Sequence, residues 1–155
     1  MSSLFKIGAV TVAVIMACCA TAVIVVPSVP AAAQAREEQA RRLCAVLDEA
    51  TRSYRAAEGA HPPGDGRGSM GLAMGLLRPA RRGRPYVSFA PTMLTEEGHV
   101  RNPVDPVHAV FHYRCNESLD AATRLAVAAQ NADAFDLWAC DAEGREAGVN
   151  NWTWE

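Results

Sequence analysis

VHAVFHYRC, residues 107–115, decides how the chain is read. Val107, Ala109, Phe111, Tyr113 and Cys115 alternate with His108, Val110, His112 and Arg114. A period of two over nine residues, rich in β-branched and aromatic types, predicts a strand with one buried face. The alternative is a helix, which would bring His108 and His112 onto one face as a metal-ligand pair. On a strand the two imidazoles stand about 13 Å apart at roughly 3.3 Å per residue. They then cannot share an ion, so the segment is structural.

Working outward, Tyr86–Phe89 and Phe135–Cys140 read as further short strands. Asn102-Pro103-Val104-Asp105-Pro106 is a rigid turn leading into the central strand. Ser118 is placed to N-cap a helix running to about Gln130. Met70 to Leu77 reads as a short helical piece between the Gly/Pro-rich loop 59–71 and the basic turn 78–85. That basic turn is either a solvated loop or a patch for an acidic partner.

Upstream lies a long helical pattern over residues 31–58. Leu43, Val46, Leu47, Ala50 and Tyr54 form an apolar stripe at helical spacing. Glu37–Arg41 and Glu38–Arg42 are i,i+4 pairs in the favourable order. Gly59 is a natural residue to end this helix, and Pro62-Pro63 cannot continue it. The fold class is therefore α+β: a long N-terminal helix packed on a small antiparallel sheet of three to four strands.

Residues 7–26, IGAVTVAVIMACCATAVIVV, carry neither charge nor Pro. Twenty such residues are the length a helix needs to cross the ~30 Å core of a bilayer. The run is either a membrane anchor or the core of a signal peptide cleaved after Ala33-Gln34-Ala35, near Ala35. A weaker third reading takes Ile15-Met16-Ala17-Cys18 as a lipoprotein site. The run exceeds the usual signal-peptide core, which favours the anchor. Lys6 on its short side places the bulk of the chain outside the cytoplasm.

A net charge of −2 over 155 residues argues against nucleic-acid binding, which needs a basic face. No nucleophile elbow, phosphate-binding loop or zinc-protease helix motif occurs, and the four His are scattered. The chain reads as a non-enzyme with no evident small-molecule substrate. Cys18 and Cys19 fall in the apolar run; Cys44, Cys115 and Cys140 lie beyond it. An exported segment meets an oxidising compartment, and three Cys allow three single pairings. Cys115–Cys140 is the favoured disulfide, because both lie in strands while Cys44 lies on a helix.

The order of parts carries a resemblance. An apolar N-terminal helix with Pro27 and Pro30 near its end precedes a polar helix closing Leu47, Tyr54, Gly59, His61, Pro62. A turn and strand follow, Asp105-Pro106 to Phe111-His112-Tyr113. Phe135-Asp136-Leu137-Trp138, Glu143-Gly144 and Asn151-Trp152 close the chain. This resembles the pseudopilins of bacterial type II secretion systems, near the major pseudopilin, within the type IV pilin-like superfamily. The N-terminal processing motif is degenerate: Leu4 stands before Phe5 where the family has Gly, and no Glu follows nearby.

The resemblance implies a transmembrane anchor at 1–30, an amphipathic helix at 31–58 and a periplasmic head at 59–155. The chain would be a single-pass inner-membrane subunit whose partners are the membrane and other pilin-like subunits. It also implies a C-terminal loop folded over the sheet, with Trp138 and Trp152 as its clamp. Calcium in that loop would take Asp136, Asp141 and Glu143 as oxygen ligands. Val149 and Asn150 stand where the family has an acidic pair, and a Cys115–Cys140 bridge would substitute for calcium as the staple. The alternative is a periplasmic or secreted binding module released by cleavage near Ala35.

Overall fold

The computed structural model describes residues 29–78, 83–141, 143 and 145–153. The apolar run 7–26, with the anchor, signal and processing readings that depend on it, lies outside the described residues, as do residues 79–82 of the basic turn. Among the described residues no helix is long and apolar enough to cross a membrane.

Helix α1 runs Val29–Glu58. Its sequence is dominated by Ala, Arg, Glu, Gln and Leu, the strongest helix formers. Three i,i+4 pairs reinforce it: Glu37–Arg41 at 2.7 Å and Glu38–Arg42 at 2.9 Å in solvent, and Asp48–Arg52 at 2.8 Å beside the head. The helix ends where Gly59 takes φ +85° and its N–H donates to Arg55 O at 2.8 Å.

The buried stripe of α1 differs from the one its apolar residues suggested. Ala40, Cys44, Leu47 and Thr51 are fully buried, Ala50 nearly so, and Leu43 and Tyr54 flank them. Val46 is 50% exposed. The buried line is thus made largely of small side chains, Ala, Cys and Thr, and Val46 lies off it. The Thr51 hydroxyl stays satisfied by donating to Leu47 O at 2.6 Å.

The sheet has three antiparallel strands in the order β1-β2-β3, with β1 at Phe111–Cys115, β2 at Phe135–Cys140 and β3 at Glu146–Asn150. Phe111, Tyr113 and Cys115 pair with Ala139, Leu137 and Phe135, and these side chains are buried on one face. They join Leu47, Leu72, Leu76, Val100 and Val149 in a single core.

The edge of β1 away from β2 is covered by the Gly/Pro loop. Gly66 N donates to Tyr113 O at 2.9 Å, Tyr113 N to Gly68 O at 3.0 Å and Cys115 N to Gly64 O at 3.0 Å. An edge strand's free N–H and C=O groups are thus occupied. Gly64 is required there, because a Cβ would lie 2.2 Å from Tyr113 Cδ1.

Several boundaries depart from expectation. The strand expected from Val107 begins at Phe111; Asp105 instead closes a turn by accepting from Ala109 N at 3.0 Å, and Val107 is 71% exposed. Tyr86–Phe89 forms no strand; the Tyr86 and Val87 N–H groups both donate to Leu76 O, tying the segment to helix α2, Met70–Leu77. Helix α3 is Ala121–Ala126, N-capped by Asp120 rather than Ser118. Asp120 Oδ1 accepts from Thr123 N at 2.9 Å, while Ser118 Oγ donates to Cys115 O. The helix stops early because Ala128 adopts φ +49°. Strand β3 occupies part of the stretch expected to be a C-terminal loop.

Candidate functional site

The residues expected to form a C-terminal site divide into separate structures. Asp136 sits on β2 directly across from Arg114 on β1, with its side chain fully buried. Arg114 Nη2 donates to Asp136 Oδ2. Gln130 N also donates to Oδ2 at 3.1 Å, and Asn131 N donates to Oδ1 at 2.9 Å. Arg114 Nη1 reaches Val127 O at 3.0 Å. The pair therefore ties the segment after α3 to the outer face of the sheet. Burial pushes the Asp136 carboxyl upward, but Asn116, the Asn131 N–H, Arg114 and the Gln130 N–H outweigh it and hold the acid below its ordinary range.

Asp141 lies at the other end of β2. Its Oδ1 accepts from Arg145 N at 2.8 Å and Glu143 N at 3.0 Å, and its Oδ2 accepts from Arg145 Nε at 2.8 Å. Arg145 Nη2 also holds Glu143 at 3.1 Å. The two acids share one guanidinium at a tight turn. Five residue steps along β2 separate Asp136 from Asp141, about 17 Å at ~3.4 Å per residue. Asp136, Asp141 and Glu143 thus do not converge on one cation, and the oxygens of Asp136 are filled by protein donors. The calcium set implied by the resemblance is corrected accordingly.

The Cys115–Cys140 disulfide is corrected by the same register. Cys115 faces Phe135 at one end of the β1–β2 ladder, and Cys140 closes the other end. A disulfide needs Cα atoms within about 7 Å. Cys44, Cys115 and Cys140 are free, buried thiols. Burial, with Asp48 nearby, pushes Cys44 up to about 12. Burial likewise pushes Cys140 up to about 11, against a hydrogen bond from Trp138.

Trp138 and Trp152 do meet. Their ring centroids are 6.1 Å apart at 57°, on the outer face of the sheet. His112 lies 5.5 Å from Trp138 on one side, and the Arg114 guanidinium carbon stands 5.6 Å over the same ring. The backbone is turned there by Asn150, whose Oδ1 accepts from Trp152 N, Thr153 N and Thr153 Oγ1 at 3.2, 3.0 and 2.8 Å. The adjacent Asn151 fixes the returning chain. Its Oδ1 accepts from Leu137 N at 3.0 Å, and its Nδ2 reaches Phe135 O and Asp48 Oδ1 at 3.2 Å each.

A cluster that the sequence did not reveal lies between α1 and the sheet. His61 Nδ1 and Glu117 Oε2 are 2.6 Å apart, and Arg55 Nη2 donates to Glu117 Oε1 at 2.9 Å. Cys115 completes it: one donor atom from each of His61, Cys115 and Glu117 lies within 4.8 Å of the other two. His61 and Cys115 are buried, and the Phe135 ring stands 5.0 Å from the imidazole. Arg55 and His61, through their hydrogen bonds, hold the Glu117 carboxyl below its ordinary range. The only sequence signal was the Cys115-x-Glu117 spacing, uninformative until His61 is placed beside it.

Comparison with known proteins gives no family: no family model, no curated protein and no solved structure matches the chain.

Proposed function

We propose that the chain is a membrane-anchored, pilin-like structural subunit, non-enzymatic, with its head in the periplasm. It would assemble with other such subunits in a type II secretion or type IV pilus-like fibre. The observation that carries this reading is the division of labour along α1. From Ala40 to Thr51 the helix buries one stripe in the head, while residues 33–39 are all exposed and carry Arg36, Glu37 and Glu38 among Ala and Gln. Helical turns that their own domain leaves uncovered, directly after a twenty-residue apolar run, suit lateral packing against copies in a membrane-rooted assembly. The order of motifs shared with the pseudopilins supports the same reading.

The test uses the full chain in its native envelope. Ala33→Cys and Ala35→Cys variants are treated with a bis-maleimide, and the mature mass is measured in membrane and soluble fractions. The expected result is a membrane-bound chain that retains residues 7–26 and gives a ladder of cross-linked species. A soluble chain beginning near Arg36 would overturn the proposal in favour of a released binding module.

A further inference from the structure

We propose that His61, Cys115 and Glu117 form a binding site for a borderline-soft divalent cation of the zinc class. The site is independent of how the chain is anchored or assembled. Three donor types meet in it: an imidazole nitrogen, a thiol sulfur and a carboxylate oxygen, mutually within 4.8 Å. Tetrahedral zinc with bonds of about 2.0–2.3 Å to these atom types needs donors roughly 3.3–3.8 Å apart. Side-chain adjustments of about an ångström close that difference. Sulfur in the set selects against calcium and magnesium, which take oxygen.

The backbone around the three donors is held from several directions. Cys115 ends β1, where its N–H donates to Gly64 O at 3.0 Å and its C=O accepts from Ser118 Oγ at 3.1 Å. Asn116 N and Glu117 N both donate to Ala134 O, at 3.0 and 3.1 Å. His61 is followed by Pro62-Pro63, and Tyr113 OH donates to Pro62 O at 2.9 Å. Arg55 occupies Glu117 Oε1, which turns Oε2 toward His61. That is the supporting contact a ligating carboxylate requires; Oε2 faces the His61 backbone N–H at 3.4 Å and Nδ1 at 2.6 Å, and the ion would replace the proton held between Oε2 and the imidazole.

The hydrogen bonds of Glu117 with His61 and Arg55 are complete without Cys115. The buried thiol stands beside that pair as a third donor. A cleft lined by Arg52, Arg55, Gly59, His61 and Ala134 opens beside the imidazole. It gives solvent and an ion access to the imidazole side of the cluster. Binding releases the Cys115 thiol proton to solvent, and the resulting thiolate and the Glu117 carboxylate balance the dication.

The test titrates Co²⁺ into the metal-stripped full chain in detergent, in a background carrying Cys18→Ser, Cys19→Ser, Cys44→Ser and Cys140→Ser. The expected result is a thiolate-to-cobalt charge-transfer band with tetrahedral visible absorption, both displaced by Zn²⁺. Cys115→Ser should abolish the charge-transfer band with the near-ultraviolet circular dichroism of the head retained. His61→Gln and Glu117→Gln should each weaken binding by more than about tenfold. Absence of the band in the folded background protein, or its survival in Cys115→Ser, overturns the site. Should Cys115→Ser fail to fold, unchanged affinity in both His61→Gln and Glu117→Gln overturns it equally.

Discussion

Asn151 Nδ2 donates to Asp48 Oδ1 at 3.2 Å, joining residues 103 positions apart. The same amide accepts from Leu137 N and donates to Phe135 O, so one side chain links α1, β2 and the C-terminal turn. Asn151→Ala leaves the Leu137 N–H without its side-chain acceptor, and each buried polar group so abandoned costs about 1–3 kcal/mol. Asn151→Asp should cost more, since it removes the donor and sets a carboxylate against Asp48. Urea unfolding of the three proteins checks the order wild type, then Asn151→Ala, then Asn151→Asp.

The Arg114–Asp136 pair predicts an acid limb in stability. The Asp136 carboxyl is held below its ordinary value in the folded state, so the unfolded chain takes up its proton first. The stability it contributes is fully present above the unfolded value of about 3.9 and is lost as pH falls through the lower folded value. The unfolding midpoint should therefore fall steeply below about pH 4. Asp136→Asn flattens that limb. At neutral pH it also costs about 3 kcal/mol, the lower end of the range for breaking a buried pair, because Arg114 keeps some contact with water. A flat acid limb in the wild type would contradict this account.

How much of this was legible in the sequence depended on whether a local signal existed. The helical piece around Met70–Leu77 is legible because Gly68-Ser69 and Arg78-Pro79 bound an apolar run, and the strand Phe135–Cys140 because its residues are mostly apolar and aromatic. The α+β class followed from one long helical pattern and the alternation through Phe111–Cys115. Strand β3 escaped because Glu146-Ala147-Gly148-Val149-Asn150 has no strong strand former except Val149, and Gly148 takes φ +70°. Its pairing with β2 also shifts register between Trp138 and Cys140. The Cys115–Cys140 pairing failed for a different reason. Both residues were placed in strands, but an antiparallel ladder sets the end of β1 against the start of β2, and nothing local encodes that register. The His61–Cys115–Glu117 cluster depends on contacts across more than fifty positions, which only the fold supplies.

Two glycines separate steric from conformational requirement. At Gly64 a Cβ would meet Tyr113 Cδ1 at 2.2 Å and Tyr113 O at 2.9 Å. Gly64→Ala must push the loop off β1 and break the Cys115 N–Gly64 O bond, so a loss of about 1–3 kcal/mol is expected. At Gly59 a Cβ meets nothing within 4 Å, but φ is +85°. Gly59→Ala should cost only the left-handed backbone penalty, about 1–2 kcal/mol, and Gly59→Asn less. Amide exchange distinguishes the two: Gly64→Ala exposes the Tyr113 and Cys115 amides, whereas Gly59→Ala leaves them protected.

The thiols give the most direct check on strand register. Cys115 and Cys140 at opposite ends of β2's pairing with β1 cannot bond, so reductant should not change the melting temperature of the head. Alkylation after unfolding without reductant should label Cys44, Cys115 and Cys140 alike. In the folded protein Cys44 should resist a maleimide, because burial raises its thiol to about 12 and leaves almost no thiolate near neutrality. Its labelling rate then reports opening of the α1–sheet interface and should rise in any variant that loosens it, Asn151→Ala among them. A drop in melting temperature with reductant, together with a loop-closed Cys115–Cys140 peptide in the digest, would require β1 and β2 to pair in another register. That register would also separate Arg114 from Asp136, so the redox and acid-stability measurements must agree.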